Sequence, residues 1–206
     1  MKMGVVIKYN QQPKETTMGQ YYKPTILEHD KKTVKAFIKS WDYDNGAKLM
    51  EHSYLGNNFV ARIEVELLNN PQPIVWAGDY ADPELDENGE PLMNTYEGRE
   101  YEVNLYELCT DEKQLPMKKV KSSNTRKYIL NHDKKEYVVK QKFEPEKWKI
   151  HPLPLLTADG NNRGGGDYRS DVEAGNVGRW KRDTISIVTK KSDIPKDFKE
   201  LVIEFK

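Results

Sequence analysis

The chain has 206 residues, with 33 Lys plus Arg against 33 Asp plus Glu and a formal net charge of zero. That balance excludes bulk nucleic-acid binding, which needs surplus cations to neutralise phosphates, and equally a DNA mimic, which needs surplus carboxylates. Only 36% of residues are apolar and 32% are charged, so a modest core under a very polar surface is expected, with 12 tyrosines and 4 tryptophans as core and interface material.

In chain order, Met1 to Thr17 reads as an extension, in which Val5-Val6-Ile7 would add an edge strand. Met18 is a second possible start, which would make those 17 residues dispensable. Gln20 to Leu27 reads as a strand, with Pro24 marking an edge or a bulge. A turn and a second strand, Thr33 to Lys39, complete a hairpin. Asn45-Gly46 marks a loop, and Gly46 to Tyr54 holds at most a short helix. Asn57 is an N-cap candidate, and Phe59, Val60, Ile63 and Leu67 after it fall on one helical face until Asn69-Asn70-Pro71 stops the helix.

Ile74-Val75-Trp76 is a short buried strand running into Gly78-Asp79-Tyr80-Ala81-Asp82. Residues 83–98 are acidic and turn-rich and read as a mobile insertion. Asn104 to Cys109 suits one or two turns of helix. Cys109, the single cysteine, reads as a small buried hydrophobe; it permits no internal disulfide and no cysteine-based zinc site. Gln114 to Asn124 is the expected connection between halves. A second hairpin spans Arg126 to Phe143. The prolines of Ile150-His151-Pro152-Leu153-Pro154-Leu155-Leu156 argue for an extended buried segment. Val177–Trp180, Asp183–Val188 and Leu201–Phe205 read as strands. No apolar run is long enough to span a bilayer, and Gly4–Ile7 is too short for a signal sequence, so a cytoplasmic protein without a membrane partner is expected.

The chain repeats itself. Ile26-Leu27-Glu28-His29-Asp30-Lys31-Lys32 recurs 103 residues later, at Ile129 to Lys135, changed only where Asn131 replaces Glu28. Gly56-Asn57-Asn58 and the pair Trp76 and Asp79 recur 104 residues on, at Gly160-Asn161-Asn162 and at Trp180 and Asp183. The matches share nearly one register, which points to two related halves, 18–115 and 116–206. The expected fold is therefore α+β: mainly antiparallel hairpins with one or two short helices, Trp76 superposing on Trp180, and both tryptophans buried with Ile129 and Leu156. His29 and His132 read as turn residues, since nothing nearby completes a ligand set.

The halves diverge after Gly-Asn-Asn. The second continues into Arg163-Gly164-Gly165-Gly166-Asp167, whose glycine amides can converge into an anion-binding nest with Arg163 as a bidentate donor. Asp159 and Asp167 would flank it, and Asp79 and Asp82 form a second carboxylate pair, facing this loop if the halves pack about a two-fold axis. The plainer alternative is a glycine turn that lets two backbones pass, and exposed acidic turns. The nucleotide-loop and EF-hand templates do not fit, so neither a cofactor nor a metal is expected.

Five stretches, Met18 to Leu27, Gly46 to Asn57, Ile74 to Asp82, Tyr128 to Val138 and Ile150 to Tyr168, resemble a family of small phage and prophage proteins. The resemblance implies phage origin and an accessory role inside an infected cell, and carries no catalytic residue. The expected function is a non-enzymatic inhibitor that binds a host antiviral defence protein. The alternatives are a sponge for a small anionic nucleotide, using the glycine-rich loop, and a metal-assisted phosphodiesterase or other hydrolase, using Asp79, Asp159 or Asp167 with a cation.

Overall fold

The computed structural model describes residues 19–142, 150–160 and 176–203. The extension before Met18, its Val5–Ile7 strand and the Arg163–Asp167 loop lie outside the described residues.

β1 (Tyr22–Leu27) and β2 (Val34–Phe37) form the first hairpin. α1 (Leu49–His52) and α2 (Asn58–Glu66) follow, then β3 (Gln72–Gly78). β4 (Met93–Tyr96) and β5 (Arg99–Glu102) make a separate two-stranded hairpin. β6 (Tyr128–Asn131) and β7 (Glu136–Val139) make the third. α3 (Pro152–Thr157), β8 (Ala158–Asp159), β9 (Thr184–Val188) and β10 (Lys199–Glu200) complete the described chain. The fold is α+β, with mostly antiparallel pairing.

One sheet runs β10-β7-β6-β9-β3-β1-β2, and β8 pairs in parallel with the far end of β3. Each long hairpin gains a third antiparallel strand, β3 beside β1 and β9 beside β6. Strand pairing joins these two three-stranded units where β3 and β9 begin, at Gln72–Ile185 and Pro73–Thr184. Both hairpin turns point to that junction, and Lys31 of the first reaches Asp133 of the second at 2.7 Å.

Both faces of this sheet are covered, so its strands read as near-continuous apolar runs whose alternate residues serve different cores. On one face Ile74 and Trp76, Ile129, and Ile185 and Ile187 pack against α2 and α3. On the other, Val75 and Ala77 join Leu27, Val34, Phe37, Leu105 and Cys109. At the far end Tyr128, Leu130 and Val139 pack with Ile194 and Phe198. α2 is capped as its sequence predicts: Asn57 Oδ1 accepts from the backbone N–H of Phe59 at 2.8 Å and of Val60 at 3.4 Å.

Several expectations change. Ile150–Leu156 is helical from Pro152, not extended. Its prolines occupy the first and third helical positions, where the N–H has no partner within the helix anyway, and His151 caps the helix with Nδ1 accepting from Leu153 N at 3.2 Å. Residues 177–180 form turns rather than a strand, with Gly178 at φ 72°; a Cβ there would stand 2.4 Å from the Ala158 carbonyl oxygen. Trp180 therefore sits in a turn and Trp76 in a strand, so the two do not superpose, although both are fully buried in one core with Ile129 and Leu156. Pro24 lies inside the sheet, not at its edge. It pairs with Trp76 of β3, and on its other side its carbonyl accepts from Ile38 N just beyond β2; β1 does carry a bulge, between Ile26 and Leu27. The last strand among the described residues is Lys199–Glu200; of the expected strand Leu201–Phe205, residues 201–203 are not in a strand and the rest lies outside the described residues. The stretch expected to be a mobile insertion carries β4 and the turn of a hairpin.

Candidate functional site

Two expected site residues come together. Asp82 and Asp159 line one cleft of about 250 Å³ with Lys32, Glu84, Lys181 and Arg182. Asp159 reaches it at the end of β8, beside Ala77 of β3. Its carboxylate is already engaged: Lys181 Nζ donates at 3.1 Å and Arg182 Nη2 at 3.3 Å. Arg182 also grips Glu84 with both terminal nitrogens, Nη1 at 2.9 Å. Its backbone is left-handed, φ 63°, an uncommon conformation for a residue with a side chain. The N–H of Arg182 donates to Ile74 O at 2.9 Å, anchoring the turn to β3.

The Glu84–Arg182 pair is the root of the β4–β5 hairpin. Glu84 N donates to Val103 O, Leu92 N to Glu84 O, and Val103 N to Leu92 O, all within 2.8 Å. Val103 is buried there, whereas every residue from Met93 to Glu100 is exposed. The hairpin turns at Glu97 and Gly98, both at positive φ (50° and 76°), the conformation that matches strand twist in a two-residue turn. Opposed residues share a face. Asn94–Tyr101 and Tyr96–Arg99 set an aromatic face, and Asn94 Nδ2 donates to the Tyr101 hydroxyl at 3.1 Å. Met93–Glu102 and Thr95–Glu100 set an acidic one. Tyr96 is 68% exposed.

Asp79 does not join the cleft. It accepts from the backbone N–H of Tyr21 at 3.0 Å, and burial raises its carboxyl above the ordinary value. A separate pocket of about 300 Å³, which Asp79 does not line, is bounded by Lys23, Lys39, Trp41 and Tyr106 among others. Lys23 Nζ sits 3.7 Å over the Tyr106 ring and donates to the Tyr106 carbonyl at 2.9 Å. Burial lowers the Lys23 ammonium and, with Asp79, pushes the Tyr106 phenol up to about 12. Trp41 is 62% exposed with Tyr21 edge-on at 6.5 Å.

A third cluster was not anticipated. Glu64, 1% exposed, accepts from Lys140 Nζ at 2.5 Å, His151 Nε2 at 2.9 Å and Arg126 Nε at 2.8 Å. Because His151 Nδ1 accepts from Leu153, the imidazole is neutral with its proton on Nε2. Burial opposes ionisation of Glu64, but His151 and Lys140 outweigh it and hold the carboxyl at about 2. The signal for this cluster was a glutamate four residues after Val60 on the apolar face of α2. It ties α2 to the segment before β6, to the turn after β7 and to the N-cap of α3, and opens into no cavity among those described.

Among the described residues no group of three or more His, Cys, Asp or Glu could hold a metal ion. No helix among them is long and apolar enough to cross a membrane. Cys109 is buried, 3.3 Å from Thr25 Oγ1, and burial raises its thiol. Arg163, Gly164, Gly165, Gly166 and Asp167 lie outside the described residues. The chain matches no protein-family model, no curated protein and no solved structure.

Proposed function

We propose that the chain is a non-enzymatic docking protein, a phage accessory factor that inhibits a host antiviral defence protein by binding it through the β4–β5 hairpin. The observation that carries the docking is the hairpin itself. It stands off the main sheet with residues 93–100 all exposed, is fixed at its root by Glu84 and Arg182, and presents Tyr96, Tyr101 and Arg99 on one face. Tyrosine and arginine are the residue types that dominate binding hot spots, and a lone two-stranded hairpin gains stability when a partner covers it. The phage setting rests on the sequence resemblance. The hydrolase alternative is less favoured because Lys181 and Arg182 occupy the carboxylate of Asp159.

Leu92 and Val103 are hydrogen-bonded neighbours, so an Asn-Gly turn joining them removes the hairpin and leaves the root closed. The shortened chain is expected to keep its melting temperature within a few degrees, since exposed residues contribute little to the core. Phage plating is then measured on host strains carrying different defence systems, each expressing either chain. The full chain restores plating on at least one strain and the shortened chain does not. Restoration by both, or by neither on any strain, overturns the reading.

A further inference from the structure

We infer that the partner surface received by the β4–β5 hairpin is basic. The inference rests on the docking reading above and names the chemistry of the partner. Residues 82–102 hold eight carboxylates and one cation, Arg99, a net charge of −7 (1 − 8) in a chain whose total is zero. Two of these carboxylates, Glu100 and Glu102, share one face of the hairpin with Met93 and Thr95, and Glu97 stands at its tip. All three glutamates are exposed. The one carboxylate of the segment that is neutralised by an arginine is Glu84, at the root, so the charge of the projecting part is left for a partner. The tyrosine face supplies contact area, and the acidic face supplies steering and register. Charge of this density speeds encounter with an oppositely charged patch by 10-fold or more and selects against acidic surfaces, roughly as for other steered pairs.

A second copy of this chain is the competing occupant, because residues 113–127 hold six cations and no carboxylate. One of those cations, Arg126, is already bound to Glu64. Docking of the hairpin of one copy on residues 113–127 of another would also be heterologous and prone to open-ended growth. A foreign basic protein surface is therefore the partner to which the hairpin commits.

The probe is a fluorescein-labelled decalysine peptide, titrated against three full-length proteins. The parent is expected to bind it, with affinity falling about tenfold between roughly 20 and 200 mM salt, as screening predicts. The triple variant Glu97→Gln/Glu100→Gln/Glu102→Gln, which keeps Tyr96 and Tyr101, should bind about tenfold more weakly. A control with three carboxylates removed elsewhere, Asp44→Asn/Glu112→Gln/Asp193→Asn, should change less than about twofold. Equal effects of the two triples, or parent-like binding by the hairpin triple, overturn the inference. So does light scattering that shows the parent as a dimer or larger and the hairpin triple as a monomer, which assigns the site to a second copy. If the shortened chain loses phage rescue while the hairpin triple binds decalysine like the parent, docking stands and the basic partner falls. If the shortened chain still rescues, docking itself falls.

Discussion

The two Ile-Leu-x-His-Asp-Lys-Lys turns differ by one residue in seven and are built in different ways. In the first, Glu28 is exposed and Asp30 closes the turn on itself, accepting from Lys32 N, Thr33 N and Thr33 Oγ1. Those bonds hold the Asp30 carboxyl down at about 2. In the second, Asn131 is fully buried and does the closing. Its Oδ1 accepts from Lys134 N at 2.9 Å and its Nδ2 donates to Asp183 at 2.7 Å. Asp133, released from that duty, turns outward to accept from Thr184 N and from Lys31 of the other turn. The left-handed residue moves accordingly, from Lys31 to Lys135, which are not equivalent positions in the repeat. The histidines part as well: His29 is exposed, whereas His132 lies against Phe198 and bonds Ser186 at 2.7 Å. The tryptophans show the same divergence, Trp76 donating to neutral His52 and Trp180 to the carboxylate of Glu136. Near-identical segments thus took different partners from their surroundings, and the single substitution puts a glutamate where the position is exposed and an asparagine where it is buried.

The largest test of that contrast exchanges the differing residues. Asn131→Glu puts a second carboxylate into a fully buried position beside Asp183 and should destabilise the protein by about 3–4 kcal/mol. Glu28→Asn, at an exposed position, should stay within about 0.5 kcal/mol. Denaturant melts of both variants measure the difference, and equal losses would show that the turns are interchangeable.

The next effect is a pH dependence. His52 bonds Trp76 Nε1 and the Gly46 carbonyl, and burial holds its pKa at about 4, against an ordinary value of 6.5. The unfolded chain therefore binds this proton first as pH falls. The stabilisation is fully present above pH 6.5 and is lost between 6.5 and 4, amounting to at most about 3 kcal/mol. Burial lowers His132 and His151 as well, which adds to the same acid sensitivity. His52→Gln, which can still accept from Trp76, should flatten the slope of melting temperature over this range without abolishing it. An unchanged slope would remove His52 from the account.

The smallest effect concerns the contact between the turns. Asp133→Ala loses both the Thr184 amide and the Lys31 ammonium and should cost about 1–2 kcal/mol. Lys31→Ala loses only a half-exposed ion pair and should cost less than about 1 kcal/mol, vanishing in high salt. A larger loss at Lys31 than at Asp133 would mean that the ion pair, not the amide bond, joins the two units.

Local patterns were legible where one residue type answers one local need. Asn57 read as a cap because its side chain reaches amides two and three residues on. The β1–β2 and β6–β7 hairpins read from apolar runs around a polar turn. The helix at Pro152 was misread because prolines count against a helix interior, and only the position of the helix start shows that Pro152 and Pro154 lie in its first turn. Val177 to Trp180 carried strand-forming residues, but the close approach of Gly178 to the Ala158 carbonyl, a tertiary fact, makes it a turn. The hairpin from Met93 to Glu102 was hidden by its acidity, although Glu97-Gly98 between two polar strands was a usable turn signal.

The sequence by itself determined the class of fold and part of the chemistry available: apolar runs rich in β-branched and aromatic residues specify strands, and a single cysteine permits no internal disulfide. The tertiary structure decided which charges meet. Asp82 and Asp159 share a cleft although 77 residues separate them, and Glu64 gathers Arg126, Lys140 and His151 from the other side of the chain. The physical reason is range. Backbone propensities act over a few residues and are written locally, whereas side-chain pairing acts over a few ångströms between segments that only the sheet brings together.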